Sequence, residues 1–183
     1  MHLLCVLLAW LAAPFWETIA PKDWTDEQVQ LLLNDSPWAQ LADPKPEVQI
    51  YLATAVPVQQ AEAELARRSD KPLGDDYLDY IRQEGSQNVV LAIAYKNWTA
   101  LEDAEESRRM QDESIMKVGR KKYQLVGHFP PTPSDKFLRL VYPRVATSAD
   151  KSVIFELYLP GNGPYHEAEF RVRDMLYKGK LEM

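Results

Sequence analysis

The spacing of apolar residues divides the chain into two parts with different periodicities. Before residue 114, apolar residues mostly recur every three or four positions, which predicts amphipathic helices. From residue 114 onward apolar and polar residues alternate, which predicts strands with one buried face. The pattern therefore predicts a single α+β domain over 14–183, helix-rich over 14–113 and β-rich over 114–183. An N-terminal helical region and one or two buried strands would pack with a C-terminal antiparallel sheet.

The first helix has a start signal that does not depend on the rest of the fold. Thr25 is a favoured N-cap residue, and Gln28 follows at the spacing of a capping box. Trp24 precedes the cap, where it can pack on Val29 as a hydrophobic staple. A helix beginning after Thr25 is predicted.

A second motif follows this helix. Ser36 is predicted to cap another helix, with Pro37 in its first turn, where a missing N–H is harmless. Trp24 and Trp38 would then anchor the N-terminal region onto the core. Trp24, Ser36, Pro37 and Trp38 are therefore predicted to form a structural motif.

The other segments before residue 114 carry their own signals. A strand is predicted over 48–52, a helix opening at Pro57, and a short helix from Asp75 to a stop at Gly85. The continuous apolar run 89–95 predicts a strand buried on both faces. Thr99 with Glu102 predicts a second capping box, ahead of a charged helix that continues to Met110.

The C-terminal part is predicted to consist of short strands and tight turns. The strands are expected over 123–126, 137–142, 153–159, the segment after the turn 160–164, and an edge strand over 178–183. In the strand after the turn, Ala168, Phe170 and Val172 should face one way, while Glu167 and Glu169 face the other.

Residues 1–13 form an apolar run that ends in small residues, which is typical of a secretory signal peptide. The run is too short for a membrane span, which needs about 20 apolar residues. We therefore predict an exported protein, periplasmic or extracellular, without a transmembrane span. Its single cysteine, Cys5, lies within this run, so cleavage would leave a chain without disulfides or thiolate chemistry.

Charge is unevenly distributed along the 183 residues. The formal net charge of −6 argues against nucleic acid as the main partner. Residues 1–113 carry nine Lys/Arg against 20 Asp/Glu, a net of −11, whereas residues 114–183 carry 12 against seven, a net of +5. Either the two parts attract each other internally, or the second part presents a weakly basic surface to an anionic partner.

The densest basic cluster lies at 117–122 and contains Lys117, Arg120, Lys121 and Lys122. Such a run is usually a solvated turn between strands. A weak anion-binding site is the alternative interpretation, with an envelope protein or an anionic surface as the possible partner.

The sequence contains little recognisable catalytic chemistry. After the apolar run only His128 and His166 remain as histidines, on different predicted strands, and no zinc-binding spacing is present. Nucleophile-elbow and glycine-rich phosphate-binding motifs are also missing from the sequence. No metal and no cofactor are therefore predicted.

Several short motifs together resemble an uncharacterised family of small exported bacterial proteins of acidobacterial type. They lie at 15–17, at Trp24 with 36–39, at 53–57, at 142–144, and in the terminal segment 170–182 with Phe170, Asp174-Met175 and Tyr177 to Glu182. The resemblance covers nearly the whole chain and implies export and a single domain. It implies no activity.

Two classes of function remain open from the sequence. The first is an exported, non-catalytic binding or structural module whose ligand is unknown. The second is a hydrolase-like enzyme with a site assembled from distant residues, including His128. A concave pocket that contains His128 beside carboxylates would favour the enzyme, and an exposed apolar or basic surface would favour binding.

Overall fold

The computed structural model describes residues 13–43, 47–69, 73–133, 135–162 and 165–183. The fold is α+β, as predicted, with an antiparallel five-stranded sheet at its centre. The predicted signal peptide lies almost entirely outside the described residues. Each helix in the described part of the chain is too short or too polar to cross a bilayer.

Helices are concentrated in the N-terminal part of the chain and strands occur throughout. The helices are α1 (Phe15–Thr18), α2 (Asp26–Asn34), α3 (Val56–Ser69), α4 (Asp75–Glu84), α5 (Trp98–Leu101) and α6 (Ala104–Glu113). The strands are β1 (Ala39–Ala42), β2 (Val48–Leu52), β3 (Asn88–Ala94), β4 (Ile115–Val118), β5 (Lys121–Gln124), β6 (Gly127–Phe129), β7 (Phe137–Pro143), β8 (Ser152–Leu157), β9 (His166–Arg171), β10 (Leu176–Tyr177) and β11 (Lys180–Leu181).

Two antiparallel sheets are built from these strands. The central sheet has the order β1-β2-β3-β7-β6, and the second sheet has the order β5-β4-β8-β9. Strands β10 and β11 pair separately as a short hairpin. Because β7 and β6 pair alongside β3, the central sheet combines strands from both parts of the chain. The boundary at residue 114 therefore marks a change in periodicity along the sequence and does not separate two layers.

The central sheet lies between a helical layer and the second sheet. Tyr51 on β2 donates a hydrogen bond to Glu62 on α3, which places α3 on one face. On the other face, the rings of Tyr142 on β7 and Phe155 on β8 meet edge to face at 5.2 Å. The buried apolar residues form one continuous cluster.

The two sheets also meet edge to edge. Asp43, just after β1, exchanges two backbone hydrogen bonds with Glu167 on β9, at 3.0 and 2.6 Å. The Gln40 side chain adds a bond from Nε2 to the Glu169 carbonyl at 2.9 Å. These contacts fix the relative position of β1 and β9.

The capping box at the start of α2 is confirmed. The Thr25 side chain accepts from the Gln28 N–H, and the Gln28 side chain accepts from the Thr25 N–H. The helix predicted after Ser36 is wrong. Ser36 and Ala39 exchange backbone hydrogen bonds around a tight turn, and β1 begins at Ala39.

The second predicted capping box is also wrong. Thr99 lies inside α5, and α6 begins separately with Asp103 as its N-cap, whose carboxylate accepts from Glu105 and Glu106 N–H groups. A carboxylate that faces the first turn also interacts favourably with the helix dipole, so Asp103 is an effective cap in this position.

Most of the predicted strands are present, with shifts of one or two residues at their ends, but the edge strand predicted over 178–183 is wrong, because Lys180–Leu181 pairs with Leu176–Tyr177 in a separate hairpin. Strand β2 has the predicted bounds, β7 extends one residue further, and β9 alternates as expected, with Ala168 and Phe170 buried and Glu167 and Glu169 exposed. Val172 is buried but belongs to a 3₁₀ turn. The sequence analysis missed β1, β4 and β6, which are only three or four residues long.

Candidate functional site

A pocket of about 290 Å³ lies on the helical side of the central sheet, and we call it the Arg139 pocket. Its floor is polar and its walls are mainly apolar. The lining residues are Tyr51, Glu62, Leu65, Ala66, Ser69, Leu73, Pro133, Asp135, Lys136, Phe137 and Arg139.

The floor is organised around the guanidinium of Arg139, a side chain that is only 1% exposed. Its Nε donates a hydrogen bond to Asp135 Oδ2 at 3.0 Å. Its Nη2 lies 2.8 Å from Glu62 Oε1 and 3.0 Å from Asp135 Oδ2. Neither contact counts as a hydrogen bond of Nη2, so the two contacts are ionic. One cation is thus shared between two carboxylates.

Two tyrosines complete this buried group. The Tyr51 hydroxyl donates to Glu62 Oε1 at 2.8 Å, and the Tyr77 ring lies over the guanidinium with 4.0 Å from Cζ to the ring centroid. Burial, followed by the negative charge of Glu62, raises the pKa of both tyrosines. Burial opposes the charge of Arg139, but Glu62 and the other anionic groups hold its pKa above the usual value. The group therefore contains two neutral hydroxyls and a permanent cation at neutral pH.

Arg139 retains unused hydrogen-bonding capacity. Its Nη1 is buried and has no hydrogen-bond partner in the described part of the chain. An unpartnered buried donor costs roughly 1–3 kcal/mol. Nη1 is thus a donor without an acceptor, on a residue that lines the pocket.

The secondary structure explains why these side chains meet. Glu62, Leu65, Ala66 and Ser69 occupy helical positions separated by three or four residues, so they share one face of α3. Across the sheet, Tyr51 is paired with Ala92, and Ala92 is paired with Arg139. Residues paired in this way project from the same face of a sheet, so Tyr51 and Arg139 both point toward α3.

Hydrogen bonds join Thr132, Asp135 and Phe137 just before and at the start of β7. The Asp135 N–H donates to Thr132 Oγ1, and the Asp135 carbonyl accepts from the Thr132 N–H. Asp135 Oδ1 also accepts from the Phe137 N–H at 3.2 Å. The carboxylate is thereby directed toward Arg139.

The buried cluster of Arg139, Glu62 and Asp135 was not predicted, although the sequence contains one signal of it. Arg139 is a charged residue between Leu138 and Leu140 in a strand that is buried over most of its length. A charged residue in such a strand requires a partner. Without the sheet register, however, Glu62 could not be selected among the carboxylates of the first 113 residues.

The structure places the two histidines away from this pocket. His128 on β6 is paired with Leu140, so its side chain lies on the opposite face of the central sheet from Arg139. Burial lowers the pKa of His128. His166 on β9 is fully buried, and neither ring nitrogen has a hydrogen-bond partner among the described residues.

The basic cluster forms the hairpin between β4 and β5, which we call the basic hairpin. Lys117 on β4 forms an ion pair with Glu156 on β8, so its charge is already neutralised. Arg120, Lys121 and Lys122 are exposed at the tip and on the second strand. The hairpin therefore presents three exposed cations.

The four residues of the predicted structural motif occupy two environments. Trp24 and Trp38 are buried, at 3% and 0% exposure. Ser36 and Pro37 line an open groove of about 480 Å³ along the β1–β9 contact, whose acidic residues are Asp43, Glu167, Glu169 and Asp174. Arg171 is the basic residue in the same lining.

The groove does not have the character of a metal centre. Among the residues that the structure describes, no group of three or more His, Cys, Asp or Glu side chains could hold a metal ion.

Within the described residues, the two oppositely charged parts of the sequence are joined by a single ion pair. Among the ion pairs of the described residues, the Arg139–Glu62 contact is the one that joins residues 1–113 to residues 114–183. Internal neutralisation of the charge asymmetry is thus limited to one pair within the described chain.

Comparisons of the chain with known protein families, with curated proteins and with solved structures returned no match. The function is therefore inferred from the geometry of the Arg139 pocket.

Proposed function

We propose that this protein is an exported, non-catalytic binding module that holds a small amphipathic molecule in the Arg139 pocket. The observation that carries the proposal is the buried Nη1 of Arg139, which lacks a partner among the described residues. Each such group costs stability, and Arg139 also lines a pocket. A bound molecule with an accepting oxygen would satisfy this donor.

The apolar walls of the pocket suit a ligand whose other end is a hydrocarbon group. Leu65, Ala66, Leu73 and Phe137 present apolar surface above the polar floor. Small-molecule sites generally combine apolar walls with a few polar groups that orient the ligand. A volume of about 290 Å³ is at the lower end for such sites, which suits a small ligand.

Binding is preferred to hydrolysis because of the position of His128. A general base must come within hydrogen-bond reach of the group it deprotonates. His128 projects from the face of the central sheet opposite the pocket. It therefore cannot act on a molecule held by Arg139 without a rearrangement of the sheet.

The export component of the proposal is supported by the apolar run at residues 1–13. A partner in the envelope would have to contact an exposed feature such as the basic hairpin. That second interaction is independent of the pocket and is tested separately below.

Binding in the pocket can be tested by NMR on the isotopically labelled chain. Three six-carbon probes, hexanamide, hexanoate and hexylamine, would be titrated at pH 7. At least one should shift the amide signals of α3 and of the start of β7. The Ala66→Trp variant fills the pocket and should abolish these shifts.

The matched control is Ala63→Trp, because Ala63 is on the same helix but exposed and outside the pocket lining. This variant should bind like the native chain. The proposal is wrong if none of the probes shifts the pocket signals, or if both tryptophan variants respond identically to them.

A further inference from the structure

We infer that the Arg139 pocket selects a neutral head group that both donates and accepts hydrogen bonds, such as a primary amide, and discriminates against carboxylates. This inference rests on the proposed function, because it concerns the chemistry of the ligand in the same pocket. It follows from the balance of charge and from the hydrogen-bonding groups at the floor.

The floor of the pocket carries more negative than positive charge. Glu62 and Asp135 contribute two negative charges, and Arg139 contributes one positive charge. The floor thus has a formal net charge of −1 although it contains a guanidinium; Lys136, the other cation of the pocket lining, is exposed to solvent. A carboxylate ligand would add a third anion around a single cation in a largely buried place.

A carboxylate ligand would compete with Asp135 and Glu62 for the guanidinium of Arg139. Nε donates a hydrogen bond to Asp135 and Nη2 is in ionic contact with both carboxylates, so Nη1 is the guanidinium nitrogen with neither kind of contact among the described residues. A carboxylate could accept from Nη1 only at the cost of repulsion from both side-chain carboxylates. Juxtaposition of like charges in an interface costs several kilocalories per mole.

An ammonium head group has the opposite defect. It would reduce the net negative charge, but it carries only donors and cannot accept from Nη1. It would also lie beside the positively charged guanidinium of Arg139. The unpartnered donor would remain unpartnered.

A primary amide avoids both defects. Its carbonyl oxygen can accept from Nη1, and its N–H groups can donate toward the carboxylate of Glu62. It adds no charge to the floor. Its hydrocarbon chain would lie against Leu65, Leu73 and Phe137.

The three probes of equal chain length separate these possibilities. NMR titration of the native chain at pH 7 should give the tightest binding for hexanamide. Hexanoate should bind about tenfold more weakly or worse, as expected from uncompensated like charge. Hexylamine should also bind more weakly than hexanamide.

A charge variant tests the cause of this order. Glu62→Gln removes one negative charge at the floor and keeps an oxygen that can accept from the Tyr51 hydroxyl. In this variant the preference for hexanamide over hexanoate should shrink several-fold. If the folded variant keeps the native preference, the net charge of the floor is not the cause and the inference fails.

The failure of the inference differs from the failure of the proposed function. Native binding of hexanoate or hexylamine as tightly as hexanamide overturns the inference and leaves the binding function standing. Absence of binding by all three probes overturns both. If Glu62→Gln does not fold, the order of the probes on the native chain decides by itself.

Discussion

Trp38 donates its indole N–H to the backbone carbonyl of Glu182 at 2.9 Å, across 144 residues of sequence. The Trp38 side chain is fully buried, and the Trp16 ring meets it edge to face at 5.7 Å. Arg144 holds the neighbouring residue, since its Nη2 donates to the Met183 carbonyl at 2.6 Å. The last residues of the chain are thus packed against the start of β1 and the end of β7.

We predict that Trp38→Ala and Trp24→Ala each lower the free energy of unfolding by about 3–5 kcal/mol, the usual cost of truncating a large buried aromatic residue. Denaturant titration of each variant would measure this. Leu41→Ala is the control, because Leu41 is 52% exposed and should change stability by less than about 0.5 kcal/mol. A loss below about 1 kcal/mol for both tryptophans would show that they do not anchor the N-terminal region.

A matched pair of tyrosine variants tests the buried polar group. Tyr51 and Tyr142 are both buried; the Tyr51 hydroxyl donates to the Glu62 carboxylate, whereas the Tyr142 hydroxyl has no partner among the residues that the structure describes. Tyr51→Phe should cost about 1.5–3 kcal/mol, as expected for a hydrogen bond to a charged group. Tyr142→Phe removes an unpartnered hydroxyl and should not destabilise the protein. Thermal or denaturant unfolding would compare them, and equal losses would contradict the assignment of these hydroxyls.

Stability should fall in alkaline solution because of the same tyrosines. Burial, and then Glu62, raises the pKa of Tyr51 and Tyr77 in the folded state, and burial raises that of Tyr142. Their stabilising contribution is fully present below the unfolded pKa of about 10 and is lost as the pH rises above it. The ultraviolet absorbance of tyrosinate, followed with circular dichroism, should show the buried tyrosines ionising only as the chain unfolds. Ionisation of every tyrosine near pH 10 in a folded chain would contradict this.

We predict that the basic hairpin binds anions weakly. Replacing Arg120, Lys121 and Lys122 with Gln should reduce retention on heparin or anionic liposomes at low salt. The difference should fade at higher salt, since exposed charges are screened beyond about 8 Å at 0.15 M ionic strength. A control with Lys22, Lys96 and Lys151 changed to Gln removes as many exposed charges elsewhere. Equal retention of the two triple variants would mean that the hairpin is only a solvated turn.

If the protein is exported, removal of the signal peptide should shorten the mature chain. When the full sequence is expressed in a bacterial host, intact-mass measurement of the extracytoplasmic fraction should give a product that lacks the apolar run 1–13. Deleting that run should leave the remaining chain in the cytoplasm. Recovery of the full-length chain from the cytoplasm, still beginning at Met1, would contradict export.

Ser36 illustrates why a local signal can predict the wrong structure. Serine followed by proline suits the start of a helix, but the same pair also suits the first two positions of a tight turn. Pairing with β2 favours the turn over the helix, because Ala39 pairs with Tyr51 and is the first residue of β1. The Thr25 capping box had no such competitor, and it was predicted correctly.

The sequence by itself determined the α+β class, the cap of α2 and most of the longer helices and strands. These features depend on hydrophobic periodicity and on contacts within one helical turn, both of which are local. The tertiary structure alone decided that Glu62, Asp135 and Arg139 share the floor of one pocket. Their meeting depends on the register of β2, β3 and β7 and on the placement of α3 over that sheet. Such long-range pairing is set by the packing of the whole core, which no local pattern of residues encodes.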